Sequence, residues 1–172
     1  LGENIGIQFE GTKKGADFDI STELAEQMLR SPLNTNGRPN SDVIRPWLNG
    51  FDIVRRSRHM WIIDFGTRMP EEEAAQYEMP FSYVEKVVKS KYGQTRNRWW
   101  IHERSRPELR DALAHLPRYI ATPRVSKHRL FVFVPQGTLP DSAVVAVARD
   151  DDYFLGVLHS IPHELWSLRM GT

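Results

Sequence analysis

The apolar runs of this chain are short, and this feature restricts its fold more than any other. The longest runs, Leu130–Val134 and Ala143–Ala148, have the length of one β-strand, as does Met60–Phe65. A transmembrane helix needs ~20 apolar residues in succession, so the sequence predicts no membrane span. Several segments between the runs have apolar residues at helical spacing. We therefore expect one α+β domain over residues 1–172, with a small mixed or antiparallel sheet and surrounding helices.

Capping residues and prolines predict where the helices begin and end. A cap at Ser21 or Thr22 predicts a helix to about residue 30. A cap at position 41 or 42 predicts a short helix that Pro46 and Asn49-Gly50 should stop. Pro80 should separate a helix that follows Pro70 from a second one over residues 82–91. The other expected elements are strands over 5–10 and 119–122 and helices that begin near 107, 153 and 163.

Charge is distributed unevenly along a chain whose net charge is only +1. Residues 86–129 contain 12 lysines and arginines and 3 acidic residues, whereas the segments on either side are acidic overall. Eight of the twelve basic residues are arginines, whose planar fork binds phosphate oxygens and guanine edges. Such a block is typical of a nucleic-acid-binding surface. The alternative is that these cations neutralise the acidic segments within the same fold.

The motifs of the common DNA-modifying enzymes are missing from the sequence. No two glycines have the Gly-x-Gly spacing of an S-adenosylmethionine site, and no Pro-Pro pair follows an Asn or Asp. None of the six lysines has an acid two positions earlier, as a magnesium-dependent nuclease would need. A P-loop and a Gly-x-Ser-x-Gly turn are also missing. We therefore expect that this segment is not an enzyme by itself and holds no cofactor.

Three weaker patterns are explained more simply by structure than by chemistry. His159 and His163 have a zinc-ligand spacing, but Pro162 lies between them and the His-Glu-x-x-His pattern is not formed. The acids Asp150–Asp152 are expected to cap a helix. The triplet Asp64-Phe65-Gly66 is expected to end a strand.

One basic segment lies between two predicted strands. Residues 122–129 contain cations and hydroxyl groups but no acid. The tip of a β-hairpin with this composition can enter a groove of DNA or hold its backbone. The alternative is an exposed loop whose charges only favour solubility. The candidate DNA contacts in this segment are Arg124, Ser126, Lys127, His128 and Arg129.

A second set of candidates is spread over the rest of the chain. The segment that begins at Gln94 mixes amides and arginines, which match adenine and guanine edges. Its two tryptophans, Trp99 and Trp100, are expected in the core. The further candidate DNA contacts are Lys13, Lys14, Arg38, Arg96, Asn97, Arg98 and Arg104.

Several runs of residues, spread over nearly the whole chain, are specific in combination. They are Asn40–Gly50, Trp61–Gly66, Arg118–Arg124 with Ser126–Arg129, Asp150–Phe154 and His159–Thr172. Together they resemble the target-recognition region of MmeI-like proteins. These are single-chain type IIG/IIL restriction-modification proteins and related adenine-specific DNA methyltransferases.

The resemblance implies a function and a setting for the chain. Its partners would be double-stranded DNA and a methyltransferase domain on the same polypeptide. This segment would then be one part of that longer polypeptide. The parent chain would use S-adenosylmethionine to methylate an adenine, in some members with a nuclease domain as well. We expect a cytoplasmic location, because the chain contains no cysteine and no visible signal peptide.

Two other functions stay open at this point. The basic face could dock an acidic protein partner instead of DNA. An independent hydrolase would need a cluster of titratable groups, for which His102, Glu103, Asp111 and His115 are the local candidates.

Overall fold

The computed structural model describes residues 6–93 and 95–170. Residue 5 of the first expected strand and Gln94 of the basic segment therefore lie outside the described residues. The strands are β1 (Gln8–Glu10), β2 (Asp19–Ile20), β3 (Ile44–Leu48), β4 (Trp61–Ile63), β5 (Arg118–Pro123), β6 (Val132–Pro135), β7 (Leu139–Pro140) and β8 (Val144–Val147). The helices are α1 (Thr22–Leu29), α2 (Gly50–Val54), α3 (Glu71–Ala74), α4 (Glu78–Val84), α5 (Ser90–Tyr92), α6 (Pro107–Leu113), α7 (Asp152–His159) and α8 (Ile161–Met170).

The strands form two four-stranded sheets. The first sheet has the order β1-β8-β5-β6 and is antiparallel throughout. The second has the order β2-β4-β3-β7, and its last pair, β3 with β7, is parallel. This arrangement confirms the α+β class. None of the helices within the described ranges combines the length and apolarity that a membrane span needs.

Each sheet has its own apolar core. The larger core lies on the second sheet and includes Trp99 and Trp100, which confirms that these two side chains are buried. The smaller core lies on the first sheet, where Leu109 of α6 packs with Tyr119 of β5. Ile53 of α2 packs against the same core, so α2 is fixed to the first sheet although it directly follows a strand of the second.

Two helix caps agree with the sequence. The side chain of Ser21 accepts a hydrogen bond from the Leu24 amide at 3.3 Å and begins α1. Asp151 accepts one from the Phe154 amide at 2.7 Å and begins α7. Each cap satisfies an amide that has no partner inside its helix.

The segment that precedes α2 differs from its prediction. A single 3-10 turn covers Asn40–Asp42, and the expected short helix is replaced by β3. Pro46 does not end this element. It lies opposite Trp61 of β4, but the hydrogen bond to β4 comes from the Trp47 amide, which donates to the Met60 carbonyl, and β3 pairs with β7 only from Trp47 onward. The proline therefore removes no hydrogen bond between the strands. Asn49, expected to stop a helix, instead caps α2.

The two helices expected on either side of Pro80 are present, but the break lies before the proline, because α3 ends at Ala74 and α4 begins at Glu78. Pro80 lies in the first turn of α4, where an amide has no helical partner, so the proline removes no hydrogen bond. The helix continues through a π-helical turn over Glu85–Lys89 into α5.

Candidate nucleic-acid interface

The basic segment between β5 and β6 is the tip of a β-hairpin, as the sequence predicted. The two strands pair in antiparallel register from Arg118 with Pro135 to Ala121 with Val132. The Arg124 amide donates to Ala143 at 2.8 Å and fixes the start of the loop to β8. The next four residues, 125–128, are exposed, and Val125 is 89% exposed.

Helix α2 lies opposite this loop and is held by two hydrogen bonds of Asn49 and by a close approach at Gly50. Asn49 caps it through the Phe51 amide at 3.1 Å, and its amide nitrogen donates to Asp141 Oδ1 at 3.3 Å. A methyl group on Gly50 would lie only 3.0 Å from the Ala143 carbonyl oxygen and 3.6 Å from Pro123 Cβ. The glycine therefore allows α2 to approach the first sheet closely.

An open groove of about 940 Å³ separates α2 from the hairpin loop, and we call it the basic groove. Ser142 and Ala143, which precede β8, also line it. Two apolar side chains at its edges, Phe51 and Val125, are exposed. The other residues that line the groove are Asn49, Gly50, Val54, Arg55, Arg124, Ser126, Lys127, His128 and Leu130.

The cations of the basic groove are largely without acidic partners. Arg55 forms no ion pair with a described residue and lies over the Phe51 ring, 5.3 Å from its centroid. Lys127 is exposed and also has no acidic partner among residues 6–93 and 95–170. Arg124 pairs with Glu10 at 2.7 Å, but Glu10 also pairs with Arg106, so this trio keeps a positive charge. The groove is therefore electropositive.

Arg129 has a different environment from its neighbours in the loop. Its guanidinium donates to the Leu158 carbonyl at 2.9 Å and to Ser167 Oγ at 3.2 Å, and lies 2.6 Å from His163 Nδ1. These contacts tie the hairpin to α7 and α8. The candidate is thus placed beside the groove and is occupied by intramolecular contacts.

Three of the other candidates meet around one carboxylate. Lys13 and Arg104 exchange backbone hydrogen bonds, and Lys13 Nζ lies 2.6 Å from Glu103. The hydrogen bond from Lys13 lowers the pKa of Glu103, and the charges of Arg96 and Arg104 add to this effect. Lys14 pairs instead with Asp19.

The last three candidates lie elsewhere on the surface. Arg38 has a long ion pair with Asp42, at 3.9 Å. Arg98 donates to the Thr67 carbonyl at 3.0 Å, and Asn97 is exposed next to it. The candidates that line the basic groove are Arg124, Ser126, Lys127 and His128 of the hairpin loop.

Much of the basic block is neutralised inside the fold. Arg118 pairs with Asp152 at 3.0 Å, and Lys91 pairs with Asp17 at 3.1 Å. Arg106 pairs with Glu10. The partners come from the acidic segments on both sides of the block, so its sequence charge does not form a single surface.

The strongest ion pair joins Arg110 to Asp64, directly after β4. Burial alone would raise the pKa of Asp64, but the charge and hydrogen bonds of Arg110 outweigh it, and the pKa is lowered to about 2. His102 is also buried, and its Nδ1 lies 3.7 Å from Asp64 Oδ1. Burial lowers the pKa of His102, which keeps the ring neutral near pH 7.

The other titratable groups weighed for chemistry do not form a catalytic cluster. Glu103 is on the surface with Lys13 rather than beside His102. His159 and His163 contact the Phe131 carbonyl and Arg129, at 3.0 and 2.6 Å. Within the described ranges, no group of His, Asp and Glu side chains could hold a metal ion.

Sequence reasoning missed the contribution of α2 to this surface. The run Arg55-Arg56-Ser57-Arg58 is a local basic cluster inside an otherwise acidic segment. Arg58 pairs with Asp52, whereas Arg56 is exposed. Counting charges over the whole acidic segment before residue 86 hid this cluster, which a count over a shorter window would have revealed.

Comparison with known proteins shows what the fold resembles. Neither the protein-family models nor the curated proteins include a match to this chain. Among solved structures, the chain is similar to the type IIL restriction-modification enzyme MmeI in complex with DNA, with a TM-score of 0.65 and 15% identity. The match covers 93% of this chain and 21% of that protein. The two proteins share a fold over this region, and the chain spans about a fifth of the length of its neighbour.

Proposed function

We propose that this chain is the DNA target-recognition domain of a restriction-modification protein and contacts duplex DNA through the basic groove. The observation that carries this proposal is the position of two exposed cations, Arg55 and Lys127, on opposite walls of one groove. The fold likeness to MmeI, whose solved structure contains DNA, supports it.

The groove has two kinds of chemical group that DNA recognition needs. Arg55 and Lys127 would contact phosphates, which supply affinity but no sequence information. Ser126 and His128 at the hairpin tip can donate or accept hydrogen bonds at base edges. A two-stranded β-ribbon is narrow enough to enter the major groove, which is ~12 Å wide.

The rest of the proposed protein would supply the chemistry. This chain has no Gly-x-Gly turn, so S-adenosylmethionine would bind a separate methyltransferase domain of the same polypeptide. That domain would methylate an adenine after flipping it out of the duplex. The parent protein would act in the cytoplasm, where its DNA substrate is.

Binding to duplex DNA at roughly 50 and 200 mM salt tests the proposal with the 172-residue chain. About six phosphate contacts would make the affinity fall on the order of a thousandfold over this range. An unrelated duplex should compete at low salt, whereas a specific duplex should be preferred at high salt.

An acidic polypeptide of equal charge is the control that separates DNA recognition from protein docking. If this polypeptide competes as well as duplex DNA, the groove recognises negative charge alone and the docking alternative gains support. If the chain binds neither, the proposed function is wrong for the isolated chain.

A further inference from the structure

We propose that a second cavity, between α6 and the β3–β7 edge, binds the carboxylate or phosphate group of a small organic anion through Arg45 and Arg110. The cavity encloses about 450 Å³. It shares no lining residue with the basic groove, so the inference does not depend on DNA binding.

Positive charge is in excess at the cavity wall. Asp64 lies between the two guanidiniums, 2.7 Å from Arg110 Nη1 and 3.2 Å from Arg45 Nε. No other acid of residues 6–93 and 95–170 pairs with either arginine. His102 adds no charge near pH 7, so one carboxylate faces two cations. A second anionic group would balance the site.

Arg45, unlike Arg110, has hydrogen-bond donors without partners among the described residues. Arg110 uses its fork on Asp64 and donates its Nε to the Ser105 carbonyl at 2.6 Å. Arg45 Nε is buried and, although near Asp64, makes no hydrogen bond with a described residue. A buried donor without a partner is costly, yet 39% of this side chain remains exposed at the cavity. Nε itself is enclosed, but neither terminal nitrogen of Arg45 forms a hydrogen bond with a described residue, so these terminal nitrogens are the donors available to a ligand.

Part of the remaining wall is apolar, beside the polar residues Gln136 and Thr138. Leu109, Leu113 and Leu139 line the cavity together with Pro140. The nearby Tyr119 hydroxyl is already used, because it donates to the Thr138 carbonyl at 3.1 Å. A ligand with one anionic end and a short apolar body matches this combination.

The test uses the whole chain with two probes, sodium hexanoate and inorganic phosphate. Each is titrated in the millimolar range while NMR follows the Arg45 Nε–H signal and the amides of Gly137 and Thr138. We expect saturable shifts with at least one probe, and Arg45→Met should weaken binding by about tenfold or more. Arg30→Met, which removes an exposed cation from α1, is the matched control and should have no effect.

A measurement on the unaltered chain covers the case in which Arg45→Met does not fold. Bound hexanoate or phosphate should protect Arg45 from phenylglyoxal, as read by peptide mass. The probe that protects identifies the group as carboxylate or phosphate. The proposal is overturned if neither probe shifts these signals or protects Arg45, or if Arg45→Met binds the probes as tightly as the wild type does. It is also overturned if duplex DNA, added in place of the probes, is the only anion that protects Arg45.

Discussion

Arg110 of α6 donates hydrogen bonds to Asp64 from both terminal nitrogens, which lie 2.7 and 2.9 Å from the two carboxylate oxygens. The Asp64 side chain is only 1% exposed, and it directly follows β4 of the second sheet. Helix α6 carries Leu109 into the core of the first sheet. This one ion pair therefore connects the two sheets that carry the basic groove and the second cavity.

Arg110→Met should destabilise the fold strongly. The change leaves Asp64 buried without its main partner, and such losses cost about 3–5 kcal/mol. Urea denaturation of the variant measures the free energy of unfolding. Arg30→Met is the control, because its exposed pair with Glu26 should contribute less than about 1 kcal/mol. A loss below 1 kcal/mol for Arg110→Met would contradict the role given to this pair.

The same pair predicts how stability depends on acid. The folded pKa of Asp64 is about 2, below its ordinary value of 3.8, so the folded state resists protonation more than the unfolded state. Its contribution, about 2 kcal/mol, is complete above pH 3.8 and is lost as the pH falls toward 2. Carboxyl-carbon NMR of Asp64 measures this pKa directly. A value at or above 3.8 would show that burial, and not Arg110, dominates.

Arg129→Met should loosen the two C-terminal helices. It removes the donors to the Leu158 carbonyl and Ser167, each of which fixes a helix to the hairpin. Hydrogen bonds from a charged group stabilise by about 1.5–3 kcal/mol, so amide exchange in α7 and α8 should rise roughly tenfold or more. Lys127→Met, two positions away on the exposed loop, should leave that exchange unchanged. Equal exchange in both variants would show that Arg129 does not fix α7 and α8 to the hairpin.

The sequence predicted the elements whose signals are local. Ser21 and Asp151 cap their helices with a side chain and an amide three residues later, a contact that needs nothing from the rest of the fold. The hairpin of β5 and β6 is also local, since two apolar runs flank one polar loop. The strand at 44–48 could not be read in this way. Its partners are β4 and β7, and the latter lies about 90 residues away along the chain.

The charge pattern of the sequence showed which segment is basic, but not where its cations lie in the fold. The cations of residues 86–129 pair with acids far away in sequence, such as Arg106 with Glu10, and sequence alone does not contain these distances. Arg129 illustrates the same limit. The basic composition of its segment suggested a DNA contact, but its guanidinium donates a hydrogen bond to Ser167. The contribution of Arg55 to the groove depends on how α2 packs on the first sheet.

The role of the basic groove in DNA binding is tested most directly by removing one cation from each of its walls. The measurement is duplex affinity as a function of salt for the Arg55→Met, Lys127→Met double variant, with circular dichroism to verify folding. Lys86→Met is the matched control, because Lys86 is also exposed but does not line the groove. We predict weaker binding and a salt slope reduced by about 2 for the double variant, and wild-type behaviour for the control. A folded double variant that keeps wild-type affinity and slope would contradict the assignment of the groove as the DNA interface.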